Sequence, residues 1–217
     1  PFNYYMKIGL EGKKYINLNQ RSVKKKSDIQ SLFRATYISS DSLLLITSQP
    51  SFRRKQLDHS LSQFSLSYRK NLATYKRLVQ QKNRLIKDHG PDHLIKQLNS
   101  QIAPCLNEIQ KERLYFLSEI ETKVASYFNT LHILDGRFMI HYTSKTSHLT
   151  DDDAIIDYLN QHLTKDKMMR SSTIGPHRDD FYFSIDGRNV REFYSRGICR
   201  SLAYFYYLSQ AQFSYNN

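Results

Sequence analysis

The sequence predicts a mixed α/β (α+β) fold carrying a long antiparallel helical hairpin, and three observations predict it. Apolar residues at Leu57, Leu61, Phe64, Tyr68, Leu72, Tyr75, Val79 and Ile86 recur mostly three and four apart, a helical seam of period near 3.5 with one stutter after Tyr68. A second seam follows at Leu94, Leu98, Ile102, Leu106, Ile109, Phe116, Ile120, Val124, Phe128 and Leu131. Lys87-Asp88-His89-Gly90-Pro91-Asp92 separates them, and a turn that short forces the two helices to run antiparallel. On both sides of this pair lie short alternating segments bounded by turn residues, which read as strands.

In chain order, Met6–Asn19 alternates weakly around Gly-containing turns and predicts short strands. Lys24, Lys25 and Lys26 form a basic run before Asp28, which can cap a short helix ending at Phe33. Ala35–Ile38 reads as a buried strand. Ser40 or Asp41 starts a turn of helix over Leu43–Ile46, and Pro50 closes that unit. Pro104, inside the second hairpin helix, removes an internal hydrogen bond and predicts a kink. Gly136 ends the hairpin, Arg137–Tyr142 predicts a strand and Asp151–His162 a helix. The three acids Asp151, Asp152 and Asp153 in its first turn suit the positive end of the helix dipole. Adjacent side chains on a helix do not converge, so capping is favoured over cation binding there. Phe181–Ile185 alternates as a strand, and Asp186-Gly187 is a hairpin turn leading into a strand over Arg188–Phe193.

Composition bounds the function. The 217 residues carry a net charge of +12, with 40% hydrophobic residues and a mean hydropathy of −0.61. That is enough apolar content for a core, with part of the chain elongated and solvent-facing. No apolar run approaches the ~18 residues of a membrane span, and nothing resembles a signal peptide. Cys105 and Cys199 form neither a disulfide framework nor a zinc pattern, so a reducing cytoplasm is the expected compartment. Residues 1–90 hold 18 Lys and Arg against 5 Asp and Glu, whereas the remainder is close to neutral. A basic surface on the first part points to an anionic partner, most plausibly nucleic-acid backbone; the alternative is that the charge serves solubility alone.

Two polar clusters carry the candidate chemistry. Ser195-Arg196-Gly197-Ile198-Cys199-Arg200 precedes a helical pattern at Leu202, Phe205, Tyr206, Leu208 and Gln212. Ser195 is a natural N-cap, Gly197 lets a ligand approach the backbone, and Arg196 and Arg200 add fixed positive charge. A helix N-terminus of this kind suits an anion such as phosphate; the alternative is an ordinary capped helix with surface arginines. His177-Arg178-Asp179-Asp180 invites comparison with a kinase catalytic loop, but the asparagine position is Ser184 and no accompanying kinase element is present. His89 and His93 share helical spacing, but Gly90-Pro91 between them prevents a common metal-binding face. No phosphate-binding loop, nucleophile elbow or metal cluster occurs, so no active site is complete within these residues.

Several stretches together resemble the RecF family, relatives of SMC and ABC-type ATPases. They are Tyr37–Ile46, then Pro50-Ser51-Phe52-Arg53-Arg54-Lys55-Gln56-Leu57-Asp58, Leu61-Ser62-Gln63, and Tyr75 through Lys87. Downstream come Thr173–Asp180 and Ser195-Arg196-Gly197, in the family's order and spacing. The resemblance implies an ATPase head, with residues 1–50 part of lobe I, residues 51–132 a helical-hairpin arm (lobe II), and residues 133–217 a return to the head. It implies ATP and Mg²⁺ as cofactors and an ATP-dependent homodimer. It also implies DNA binding at single-strand/double-strand junctions, and work with RecO and RecR in loading RecA. Ser195, Arg196, Gly197 and Arg200 would form the signature motif that meets ATP held by the other protomer. Lys24, Lys25, Lys26, Arg53, Arg54 and Lys55 are the candidate DNA contacts. Ile198-Cys199 stands where the family usually has two glutamines, Ser39-Ser40-Asp41 where it has Pro-Glu-Asp, and Ser48 where it has Gly. Neither the family's phosphate loop nor its acidic Walker B strand occurs in this stretch, so the expectation is a fragment, or else a diverged member, that is catalytically incomplete alone. The competing expectation is a non-enzymatic helical-hairpin module binding DNA or protein.

Overall fold

The computed structural model describes residues 6–9, 15–18, 21–22, 36–131 and 136–216. They divide into two compact units, residues 1–35 and 36–217. In the first unit, β1 (Met6–Gly9), β2 (Tyr15–Leu18) and β3 (Arg21–Ser22) form an antiparallel sheet. Met6 pairs with Leu18 and Gly9 with Tyr15, as the weak alternation predicts. Lys24, Lys25, Lys26 and the helix expected from Asp28 to Phe33 lie outside the described residues.

The second unit begins with a correction. Thr36–Ser39 forms no strand, and Tyr37 is 80% exposed. Ser39 has extended backbone and caps a 3-10 turn over Ser40–Leu43, its Oγ accepting from the Asp41 N–H at 3.2 Å. The capping demand, rather than sheet pairing, sets the local backbone. The turn runs into α1 (Leu44–Thr47), burying Leu45 and Ile46. Pro50 does not close this unit. It opens α2 (Pro50–Phe64) in its first turn, where a missing N–H costs nothing.

The first hairpin seam is carried by two helices, not one. Ser65 leaves the helical region (φ −120°, ψ 117°), ends α2 and caps α3 (Leu66–Lys87) by accepting the Tyr68 N–H at 2.9 Å. The break falls beside the stutter in the apolar spacing, so each helix turns its own stripe inward. α3 then runs antiparallel to α4 (Asp92–Leu131), a 40-residue helix that stays helical on both sides of the exposed Pro104. Ile95, Ile102, Leu106, Ile109, Phe116, Ile120 and Val124 on α4 are almost completely buried.

The chain returns through β4 (Phe138–Thr143), α5 (Asp152–Gln161), α6 (Leu163–Met168), β5 (Asp180–Ile185) and β6 (Arg188–Asn189). β4, β5 and β6 form a second antiparallel sheet in that order, with Phe138 opposite Ile185 and Thr143 opposite Asp180. Asp186 (φ 48°) and Gly187 (φ 75°) make the tight turn that Asp-Gly predicts. The strand beyond it is cut short: Asn189 caps α7 (Val190–Phe193), so the last four residues expected as strand are helical. α8 (Arg196–Asn216) closes the unit. Phe205, Tyr206 and Phe213 pack against Phe128, Phe181, Phe183 and Phe116, joining α8 to the sheet and to the base of the hairpin. Leu208 and Gln212, expected on the apolar stripe of this helix, are exposed, and the buried face keeps the expected Leu202, Phe205 and Tyr206 and adds Ala203 and Tyr207. A mixed helix-rich fold with small sheets is the fold class the sequence predicts. No helix among the described residues is long and apolar enough to cross a membrane.

Candidate functional site

Two charged side chains occupy the gaps in the hairpin seams. The first seam skips from Val79 to Ile86, and Lys82 fills the missing inward position. The second skips from Ile109 to Phe116, and Arg113 fills it. Both are buried, and both organise the segment from Ser171 to Asp180. Lys82 Nζ lies 2.8 Å from Asp166 on α6, with neither side chain exposed to solvent. The same carboxylate accepts from the Thr173 N–H at 2.8 Å and its hydroxyl at 2.7 Å. Asn83, next on α3, accepts from the Ser172 N–H at 2.7 Å. The segment is thereby tied to α3.

Arg113 is 1% exposed and donates from all three nitrogens. Nε donates to the Tyr68 hydroxyl at 3.0 Å, one terminal nitrogen to Asp58 at 2.7 Å, and the other to the Pro176 carbonyl at 2.9 Å and Tyr142 at 3.3 Å. Asp179 lies 3.6 Å away and accepts from the Tyr142 hydroxyl. Burial opposes the guanidinium charge, but the oxygens of Tyr68, Tyr142 and Asp58 outweigh it and hold the pKa well up. Burial pushes the Tyr68 and Tyr142 hydroxyls up as well, so they act as neutral donors.

His177 faces α3. Its Nε2 meets the Ser172 carbonyl at 3.1 Å and its Nδ1 the Tyr75 hydroxyl at 2.6 Å. A carbonyl only accepts, so the proton sits on Nε2 and Nδ1 accepts from Tyr75. Burial, against that carbonyl, holds the imidazole pKa below its ordinary value. Gly175 makes the approach possible. Its φ is 126°, and a Cβ there would stand 2.2 Å from the Tyr75 oxygen.

Arg53 and Arg54 clasp the end of the same segment. Arg53 holds Asp180 in a bidentate pair at 2.8 and 2.7 Å and donates to the Ser48 carbonyl at 2.9 Å. Arg54 donates to the Asp179 carbonyl at 2.8 Å. Arg53 is 5% exposed with its guanidinium engaged inside the protein, so it joins α2 to β5 and has no face to offer a DNA phosphate. That corrects its reading as a DNA contact. Arg54 is half-buried, and only Lys55 of the three is exposed. The His177-Arg178-Asp179-Asp180 motif, of unassigned role in the sequence, is thus a hub on which five basic or phenolic anchors converge: Tyr75, Arg113, Tyr142, Arg53 and Arg54. Arg178 is itself exposed and bonds to Ser171 and Ser172.

The second cluster is open. Ser195 Oγ accepts from the Ile198 N–H at 3.4 Å, and its carbonyl takes the first helical bond, from the Cys199 N–H at 3.0 Å. Arg196, Gly197 and Arg200 are exposed around the first turn of α8. A Cβ on Gly197 would find its nearest neighbour, Ser195 Oγ, at 3.7 Å, so the space above this turn is open. Cys199 is buried, with Sγ 3.6 Å from the Val190 carbonyl, and burial pushes its thiol pKa up. Ile198 also packs against the core. The two residues at which this cluster departs from the expected signature therefore point largely inward, leaving Ser195, Arg196, Gly197 and Arg200 as the outward set.

Among the described residues no group of three His, Cys, Asp or Glu side chains converges as a metal site. Asp151 instead caps α5 by accepting the Ala154 N–H at 3.0 Å, and Asp152 accepts from Asn107.

No family model matches the chain. Curated relatives do. The DNA replication and repair protein RecF of Carboxydothermus hydrogenoformans is 31% identical over 95% of this chain and 58% of its own length. The protein of the same name from Clostridium tetani is 32% identical over 86% of this chain and 53% of its own. The chain is thus similar to RecF proteins over most of its length. It spans a little over half the length of these relatives. A solved structure of the recombination mediator protein RecF-ATP in the RecFOR pathway superposes with a TM-score of 0.84 at 25% identity, covering 95% of this chain and 58% of that one. A second, of RecF-ATPrS, gives the same TM-score at 24% identity. The fold of this chain is therefore that of the RecF structures, an ABC-type ATPase-like fold.

Proposed function

We propose that this chain supplies the signature half of a composite ATP site, together with DNA-facing surface, in a RecF-type DNA repair ATPase. The supporting observation is the open first turn of α8, where exposed Arg196, Gly197 and Arg200 surround N–H groups at the positive end of a 21-residue helix. The donors and cations suit the terminal phosphate of ATP, and the open space above Gly197 admits it. ATP would supply the phosphoryl group and, on binding, a reason for two protomers to associate. The residues here bind and orient its charge from across that interface. Among the described residues no group of His, Cys, Asp and Glu side chains converges to hold Mg²⁺. Residues 1–50 and 133–217 then form the head and residues 51–132 the arm. On this reading the assembly is an ATP-dependent homodimer acting on DNA at single-strand/double-strand junctions, and it supports RecA loading with RecO and RecR. Mixing the chain with a full-length RecF tests the ATP part. Altered turnover or dimerisation that Arg200→Ala abolishes is expected; no effect of the wild-type chain overturns it. For DNA, affinity is measured across several salt concentrations, and a flat response overturns that part.

A further inference from the structure

Helix α3 contains seven basic residues and no acidic one. Lys82 is consumed internally by Asp166, and the others lie on the surface or half-exposed. Lys76, Arg77, Arg84 and Lys87 line one open groove of about 680 Å³ whose wall includes Tyr75 and His177. Lys70, Arg77 and Arg84 are seven residues apart, so they rise along one helix face in steps of roughly 10 Å. Two acids touch this stripe and neither cancels it. Asp58 lies 3.4 Å from Lys76 but is already paired with Arg113 at 2.7 Å. Asp88 lies 3.7 Å from Arg84 and leaves its neighbour Lys87 unmatched.

The shape of this surface identifies its partner. A protein partner needs a charge-poor centre with apolar or aromatic anchors. None of the groove's residues is an exposed large apolar side chain. What the groove offers between its cations is Gln80, Gln81 and Asn83, neutral groups that donate to phosphate and sugar oxygens. A linear run of cations with amide donors between them matches a polyanion of regular charge spacing. The groove wall is also firmly built, because Gly175, His177 and Tyr75 lock the adjoining segment onto α3.

We propose that the α3 groove is a track for the phosphate backbone of nucleic acid. The assignment rests on the DNA-binding reading above and gives it a place on the helical arm, on residues other than the Lys24–Lys26 and Arg53–Lys55 that the sequence alone suggests. The test measures anisotropy of a labelled single-strand/double-strand junction oligonucleotide against salt, for the wild-type chain and for K76Q/R77Q/R84Q/K87Q. Loss of four phosphate contacts is expected to shallow the log–log salt slope by about 3 and to weaken binding at least about tenfold near 0.1 M salt. A second variant, K96Q/K111Q/K145Q/K165Q, removes the same charge from exposed sites elsewhere and is expected to keep the wild-type slope. Equal losses in both variants would reduce the effect to net charge and overturn the assignment. Steep wild-type binding that the groove variant retains overturns the groove alone. Absent or salt-insensitive wild-type binding overturns the DNA reading itself. Polyglutamate competing as well as unlabelled oligonucleotide, at equal charge, overturns it in favour of an acidic protein. Far-UV circular dichroism confirms that the variants keep their helices.

Discussion

Arg113 is the residue whose loss the fold should tolerate least. Removing it strands Asp179 in the interior with only the Tyr142 hydroxyl as side-chain donor and leaves Asp58 to Tyr68 and the more distant Lys76. Arg113→Met is therefore expected to destabilise the chain by about 3–5 kcal/mol, read as a lower denaturation midpoint at unchanged m. Gly175 makes a second case. Gly175→Ala forces a strained backbone and drives a Cβ into the Tyr75 hydroxyl, at a cost of about 1–3 kcal/mol. In the double variant G175A/Y75F the clash with the hydroxyl is removed while a tight approach to the ring carbon and the φ strain persist, so partial recovery is expected in a double-mutant cycle; full additivity would refute the contact. His177 makes the third. Its folded pKa lies below its ordinary value of 6.5 because burial disfavours the imidazolium. As pH falls through 6.5 the unfolded chain binds the proton first. Stability is thus complete above that pH and declines below it until the folded pKa is reached. Denaturation midpoints between pH 7.5 and 5 should show less of this decline in His177→Gln. Arg113 and Lys82 were missed in the sequence, although the gaps they fill in the apolar seams, at Ile109 to Phe116 and Val79 to Ile86, are a signal that could have found them. Their partners were not legible, because Asp58, Tyr142, Asp166 and Asp179 meet them only through tertiary contacts.

At the scale of elements, the hairpin was readable because its period repeats for many turns, and its Gly-Pro turn has few conformational options. What escaped was punctuation. Ser65 divides the first seam because its hydroxyl satisfies an N–H that continued helix would otherwise bond, a local competition that apolar spacing does not report. Asn189 ends a strand the same way by capping α7. The junction between α3 and α6 rests on Lys82 and Asp166. Lys82→Met alone leaves a buried carboxylate facing an apolar thioether, and about 3–5 kcal/mol of destabilisation is expected. K82M/D166L removes both charges, and most of that loss should return, measured by urea unfolding. No recovery would mean that the Thr173 bonds to Asp166, not the ion pair, hold the segment.

At the scale of the molecule, the candidate nucleotide-facing turn and the groove differ in kind. The turn at Ser195–Arg200 was visible as a motif because capping and glycine are local chemistry. The groove was visible only as a bulk charge imbalance in residues 1–90. Its placement needed the helix: Lys76, Arg77, Arg84 and Lys87 face one way only because α3 winds them there, and because Asp166 withdraws Lys82 from the surface. Arg53 reversed direction for the same reason. A basic residue next to Arg54 and Lys55 looks like a DNA contact until Asp180 is found against it.

The clasp between Arg53 and Asp180 also sets a clock. It joins positions 127 residues apart, whereas the α3–α4 hairpin closes over a few turn residues. Closing a short loop loses little chain entropy, and distant contacts form after it. The hairpin should therefore assemble early, with the segment around Asp180 docking last. Asp180→Ala is expected to speed unfolding in proportion to its destabilisation while leaving the refolding rate nearly unchanged, and Leu106→Ala in the hairpin to slow refolding. Stopped-flow chevrons separate the two. A refolding limb displaced by Asp180→Ala would place the clasp in the rate-limiting step, with the hairpin waiting upon it.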